Sequence, residues 1–367
     1  MELELHRDAE IFDDLCPEWN ALLERSQCRV PFLRAEYQRA WWAGRGGGEW
    51  PEAELCVVTA RQAGRLVGVA PLFAARNRDG RPALLLVGSI EISDYLDLLV
   101  ARTDVDAFCQ ALLERLTAAD APAWEVLDLY NVPAVSPTRA ALARAAAARG
   151  WAATQATLEP VPAIRLPGDW ETYLATMVEK KERQEIRRKL RRAEAYEPAV
   201  TWRIVDSGQY APADGDALLD LMALAEDKAR FLTDAMRAQF RLTLQAAAAG
   251  GWLHLAFLEV GGEKAAAYLS FDFDNRLYVY NSALDPRFGA LSAGWVLLGY
   301  LLQWSIANRR AEFDFMRGGE DYKFRFGATA SAIYRLQASP RLAAAELGGE
   351  PAAEANPQEA DHFPFGR

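Results

Sequence analysis

The chain has 367 residues, 51% hydrophobic and 25% charged, with a formal net charge of −10; that composition fits a soluble globular protein of two domains and argues against general nucleic-acid affinity. No apolar run reaches the roughly 18 residues of a membrane span. The acidic, alternating start Met1-Glu2-Leu3-Glu4-Leu5 is neither a secretory signal nor a transit peptide, so a cytoplasmic location is expected. Four scattered cysteines (Cys16, Cys28, Cys56, Cys109) and three histidines lack metal-like spacing and supply a hydrolytic triad poorly; the thiols read as buried and reduced, and no metal is expected.

In chain order, residues 11–42 read as an aromatic-rich helical region ending at Gly44 to Gly48. Strand signals follow at 55–60, at 65–74 after the Gly64 turn, at 83–88 and at 95–100. A helix from Asp104 to Ala118 leads to a strand at 124–130, and a helix from Ser136 to Arg149 stops at Gly150. Pro160, Pro162 and Pro167 mark a domain boundary. Beyond it a helix from Trp170 merges into residues 179–192, which carry eight bases against three acids while the rest of the chain is acidic. Ile186, Leu190 and Ala193 give this segment one narrow apolar stripe. Its surplus charge fits either a solvated helix held by i,i+4 pairs or a surface for an anionic partner. A strand at 200–205, helices at 214–231 and 233–249, strands at 253–260, 265–273 and 277–283, and a helix at 293–308 complete the second half. The Ala-, Glu-, Gly- and Pro-rich tail, residues 341–367, is expected to be disordered.

The halves repeat each other in pattern. Tyr95-Leu96-Asp97 corresponds to Ala283-Leu284-Asp285, and each is followed by a helix and an apolar strand with an aspartate, Asp128 or Asp314. Such order predicts two copies of one α/β domain, 1–160 and 161–340, the second including the basic helix 170–196. The densest chemistry follows the last strand, Glu312 to Met316. There Arg317-Gly318-Gly319 runs into Glu320-Asp321-Tyr322-Lys323-Phe324-Arg325-Phe326-Gly327. Charge crowded past a strand's carboxyl end is where α/β proteins place chemistry; the other reading is a solvated hairpin.

These features together resemble the tandem GNAT-fold acetyltransferases associated with bacterial cellulose and exopolysaccharide production, relatives of the Fem-type aminoacyltransferases of peptidoglycan synthesis. The resemblance is carried by Leu166-Pro167, Trp170, Tyr173-Leu174 and Arg187-Arg188-Lys189-Leu190-Arg191-Arg192. It continues in Ala265-Ala266-Ala267-Tyr268-Leu269, Tyr278-Val279-Tyr280, Ser292-Ala293-Gly294 and the block from Phe313 to Gly327. Gly68-Val69-Ala70-Pro71-Leu72 and Asp94-Tyr95-Leu96-Asp97 extend it to the first half.

It implies an α/β fold of two tandem GNAT-like domains, mixed sheets flanked by helices, with acetyl-CoA or another acyl-CoA as co-substrate. The donor would lie along a splayed strand at Ser282. Its phosphates would sit at the loop with Arg287, Gly289, Ser292 and Gly294, Ser292 capping the next helix. The loop departs from the usual pyrophosphate motif, so an ordinary helix cap stays open as a reading. Asp314, Glu320, Tyr280 and Tyr322 are the candidate acids and bases; Asp314 fits equally as a structural acid. Lys323, Arg317 and Arg325, with Asp94, Tyr95 and Asp97 of the first domain, are candidate substrate-binding residues, the last three alternatively only turning the chain. The implied reaction is acyl transfer to an amine or hydroxyl of a sugar, nucleotide-sugar or small metabolite. The alternatives are Fem-like transfer from charged tRNA to a cell-wall precursor, and a non-catalytic binding or scaffold protein.

Overall fold

The computed structural model describes residues 1–352 and divides the chain into two compact units, Met1–Glu159 with the chain from Ser331, and Pro160–Ala330. The chain passes between them inside two strands. Residues 331–340, expected with the second domain, therefore belong to the first. Of the expected disordered tail, residues 341–352 carry a helical turn and a short strand, and 353–367 lie outside the described residues.

The first unit contains β1 (Glu2–His6), α1 (Ile11–Asp14), α2 (Cys16–Leu23), α3 (Ala35–Gly48), β2 (Glu54–Gln62), β3 (Arg65–Arg76), β4 (Pro82–Leu86) and β5 (Leu99–Val100). It continues with α4 (Val105–Arg115), β6 (Val126–Pro133), α5 (Thr138–Ala148) and the start of β7 (Ala152–Arg165). The second unit holds the end of β7, α6 (Trp170–Thr176), α7 (Lys180–Glu194), β8 (Val200–Asp206), α8 (Pro212–Met222), α9 (Glu226–Phe231) and α10 (Asp234–Ala249). It goes on through β9 (Leu253–Val260), β10 (Glu263–Phe273), β11 (Arg276–Leu284), α11 (Ala293–Ala307), β12 (Glu312–Asp314) and α12 (Asp321–Arg325). Within β13 (Thr329–Ser339) the chain returns to the first unit at Ser331, followed by α13 (Ala344–Leu347) and β14 (Glu350–Pro351).

Each unit builds a mixed sheet flanked by helices. In the first the order is β1-β2-β3-β4-β6-β13, antiparallel except for the parallel pair β4–β6. In the second it is β8-β9-β10-β11-β12 and the end of β7, again with one parallel pair, β11–β12. The second core forms where the basic helix lays its apolar stripe, Ile186, Leu190 and Ala193, among Leu297, Leu298, Leu301 and Leu302 of α11 and sheet residues such as Leu258, Ala266 and Leu277. That stripe fixes α7, since a helix this charged has little else to bury.

Three departures from the sequence pattern have local causes. β7 runs unbroken through Pro160 and Pro162, where the chain passes from one unit to the other, because the second unit uses those residues' carbonyls rather than their missing N–H groups: Gly318 N–H donates to Pro160 and Phe315 N–H to Pro162. The expected helix 214–231 is two helices, α8 and α9, with Ala225 extended between them. The expected strand to Met316 stops at Asp314, and the charged block folds into α12 rather than a hairpin.

Candidate functional site

The site grows from the parallel pair of the second unit. β11 and β12 are joined at Arg276–Glu312, Leu277–Phe313 and Tyr278–Asp314, and there the pairing ends. The Asp314 carboxylate accepts the Met316 N–H at 2.7 Å, and Met316 takes a φ of 55°, which turns the chain toward β7. β11 continues to Leu284, held by β10, with a register shift that leaves Tyr280 bulged between Val279 and Asn281. Asp285 N–H donates to Ala265 of the β10 side at 3.0 Å. By antiparallel alternation the backbone groups of Ser282 and Leu284 therefore face away from β10, into the fork between the strands.

Below the fork a 3-10 turn, Pro286–Leu291, leads to α11. Asp285 caps that turn, accepting the Arg287 N–H at 2.9 Å. Ser292 was expected to cap α11. It instead adopts a left-handed conformation at φ 59° and makes no side-chain cap, while Arg192 of α7 donates to its hydroxyl at 3.5 Å. The first-turn N–H groups of α11 have no partner within the helix. The buried Arg192 Nε is without a hydrogen-bond partner. A Cβ on Gly289 would meet only open space, whereas one on Gly294 would lie 2.7 Å from Leu284. Gly294 thus permits the close approach of α11 to the strand edge. Arg287, read as the loop's charge, is held by Asp285 at 2.7 Å and Glu263 at 2.9 Å, while the guanidinium that reaches Ser292 at the helix end is that of Arg192.

The charged block past β12 is more buried than its composition suggests. Lys323 is 3% exposed, its ammonium donating to the carbonyls of Arg317 (2.5 Å) and Gly318 (3.0 Å) and pairing with Glu320 at 2.8 Å. It was expected as an exposed substrate contact, yet it ties the turn together. Gly318, at φ 106°, lies so close to Glu320 that a Cβ there would be 2.5 Å from the carboxylate. Glu320 itself remains exposed. Burial, reinforced by the Glu320 charge, pushes the Tyr322 phenol up to about 12, so it keeps its proton at neutral pH. Tyr280 is half-buried against Phe271 (5.1 Å) and Phe240 (6.1 Å). Arg325 pairs with the buried Glu182 of α7 at 2.8 Å and lies over Trp295, which also receives Lys189 at 4.0 Å. The structure brings Asp314, Arg317, Glu320, Tyr322, Lys323 and Arg325 onto one turn and helix. Asp94, Tyr95 and Asp97 are buried in the first unit. Asp97 accepts from the Leu98 N–H at 2.8 Å and from the Ser136 and Thr138 hydroxyls, and desolvation raises it to about 6.

Residues 180–324 match the family model described as an acetyltransferase (GNAT) domain. The second unit has a GNAT-type acyltransferase fold. Over the whole chain the solved structure of FemX is similar at TM-score 0.65 and 11% identity, covering 95% of this chain and 98% of that one. A conserved protein of unknown function from Bacteroides thetaiotaomicron gives TM-score 0.58 at 12% identity (92% and 99% covered). L-PGS from Bacillus licheniformis gives 0.54 at 12% (90% and 94%). These likenesses establish the fold. No curated protein matches the sequence.

Among the described residues no helix is long and apolar enough to cross a membrane, and no three His, Cys, Asp or Glu side chains converge as a metal site. One residue in the GNAT fork escaped the sequence reading. Lys228 of α9 donates to Asn281 Oδ1 at 3.1 Å and to the Ser282 carbonyl. Desolvation lowers its pKa, while Asp227 and Glu320 act the other way. Within the sequence it is an ordinary basic residue in a helical stretch; only the break between α8 and α9 sends it to the strand edge.

Proposed function

We propose that this protein is an acyltransferase whose second unit moves an acyl group, acetyl from acetyl-CoA in the first instance, to an amine or hydroxyl of a sugar, nucleotide-sugar or small metabolite. The observation that carries the reading is the parting of β11 from β12 at Tyr278 and Asp314, with the open edge at Ser282 and Leu284 leading to the amino terminus of α11. The first-turn N–H groups of α11, without partners in the helix, and the Arg192 guanidinium beside Ser292 suit a pyrophosphate, and the open space at Gly289 leaves room for it. The residues present therefore fit a CoA-type donor. Bound there, the donor supplies an activated thioester carbonyl. Glu320, exposed past the fork, is placed to take the acceptor's proton, and the protonated Tyr322 phenol to return one to the leaving group. Lys323 holds Glu320 and the turn in place, and Arg325 ties α12 to Glu182 of α7.

One observation favours a second reading, Fem-like transfer from charged tRNA. Lys180, Lys181 and Arg191 of α7 are exposed and make no ion pair among the described residues, leaving charge available for phosphates. The test is titration with acetyl-CoA by calorimetry beside a charged-tRNA shift assay at physiological salt. Micromolar acetyl-CoA binding without a tRNA shift is expected. A tRNA complex that weakens steeply with salt, in the absence of CoA binding, would transfer the proposal to the second reading. Binding of neither would leave a scaffold role.

A further inference from the structure

Acyl transfer needs a hydrogen-bond donor where the carbonyl oxygen becomes an oxyanion. In the fork the obvious donor is the Ser282 N–H on the open edge of β11, but it is already taken, donating at 3.0 Å to the side chain of its neighbour Asn281. The same Asn281 Oδ1 accepts Lys228 Nζ at 3.1 Å, and the Ser282 carbonyl accepts that ammonium as well. An ammonium has three N–H groups; these contacts engage two and leave one for an incoming oxygen. Lys228 is half-buried, carried by a short helix after the Ala225 break, and the charges of Asp227 on its own helix and of Glu320 from the turn past β12 act on it.

From this geometry we infer that Lys228 is a catalytic residue, the donor that stabilises the oxyanion, standing in for the backbone N–H that Asn281 has occupied. The inference rests on the acyl-transfer reading of this fork. The acceptor's nitrogen or oxygen forms the new bond to the carbonyl carbon while the C=O π pair moves onto oxygen, where Lys228 donates its remaining N–H. On collapse that pair re-forms the carbonyl. The C–S bond breaks with its electrons on sulfur, and the proton lost by the acceptor ends on the thiol. Lys228 stays an ammonium throughout. Asn281 acts as a positioning residue, since it orients the ammonium and withdraws the backbone donor.

The experiment compares acetyl-CoA with S-ethyl-CoA, which lacks the carbonyl, in the parent, Lys228→Met and Lys228→Arg. The parent should prefer acetyl-CoA by about tenfold, the worth of one hydrogen bond to a charged group. Lys228→Met should bind S-ethyl-CoA as the parent does but lose the preference, and Lys228→Arg should recover part of it. The acceptor-independent release of CoA from acetyl-CoA, with water as nucleophile, should fall about 10²- to 10³-fold in Lys228→Met. The parent-to-variant rate ratio should shrink as pH rises through the lysine pKa. A preference that survives in Lys228→Met overturns the inference, as does a ratio that grows with pH, which would make Lys228 a base. A parent that binds neither compound overturns the acyl-CoA reading itself.

Discussion

The two units contain the same strand framework, and their forks differ in one insertion. In the first unit Phe73 faces Leu85 and Leu72 faces Leu86, as Phe271 faces Tyr278 and Ser270 faces Val279 in the second. Further along, Val69 faces Leu99 and Gly68 faces Val100, as Ala267 faces Ala283 and Ala266 faces Leu284. Between these fixed points the second unit places three residues, 280–282, and the first places twelve, 87–98. The short connection makes a bulge and leaves the fork open. The long one folds into a buried plug: Asn131 donates to Ile90 (3.0 Å) and Ser93 (2.7 Å), its carbonyl accepts the Leu96 N–H (2.9 Å), and Tyr37, Gln38 and Trp50 bind Ile92, Val87 and Ser89. The same framework can thus be closed or left open, depending on whether the chain fills its own gap.

The comparison predicts opposite responses to substitution. Asn131→Ala would strand two buried carbonyls, so a loss of about 3 kcal/mol is expected in denaturant unfolding, with donor affinity unchanged. A weakened donor site in a folded Asn131→Ala protein would show that the first fork takes part in binding. Gly294→Glu should do the reverse. The side chain would press on Leu284 at the helix end and repel phosphates, weakening acetyl-CoA binding about thirtyfold (about 2 kcal/mol). Unchanged affinity in that variant would remove the donor from the α11 terminus.

The smallest effect separates the plug by pH. Asp97 lies in the plug with its carboxyl raised to about 6 by desolvation, above the 3.8 expected of the unfolded chain. The folded state therefore holds more protons between those values. The resulting stabilisation is complete below about pH 4 and lost as pH rises through 6. Asp97→Asn should flatten that part of the stability profile by about 1 kcal/mol per pH unit, as read by thermal melts between pH 4 and 6. An unaltered slope would mean that the carboxyl is ionised in the plug throughout.

Much of the framework is legible in the residues. Alternation and glycine turns place β2, β3, β9, β10 and β11 within a residue or two, because each is a half-buried or buried strand bounded by a local breaker. Asp128 and Asp314 do occupy equivalent places, opposite Leu85 and Tyr278 in the parallel pairs. The expected match of Asp97 with Asp285 is displaced: Ala101, whose N–H donates to Val67, takes the place of Asp285, whose N–H donates to Ala265. Counting along the chain cannot separate an insertion within a strand edge from a strand.

The amino-acid sequence by itself determined which segments pair and bury, since hydrophobic period and turn chemistry are properties of neighbours in the chain. It also showed where charge is densest, in α7 and in the turn past β12. Only the tertiary structure decided which of those charges are engaged. Lys323 and Arg325 look like solvated charges until carbonyls and Glu182 are brought to them by the fold. Lys228 looks like a solvated lysine until α9 delivers it to the open edge of β11. Desolvation and hydrogen-bond partners come from distant residues, Glu182 reaching Arg325 across 143 positions and Asp79 reaching Arg335 across 256, and no local pattern encodes them.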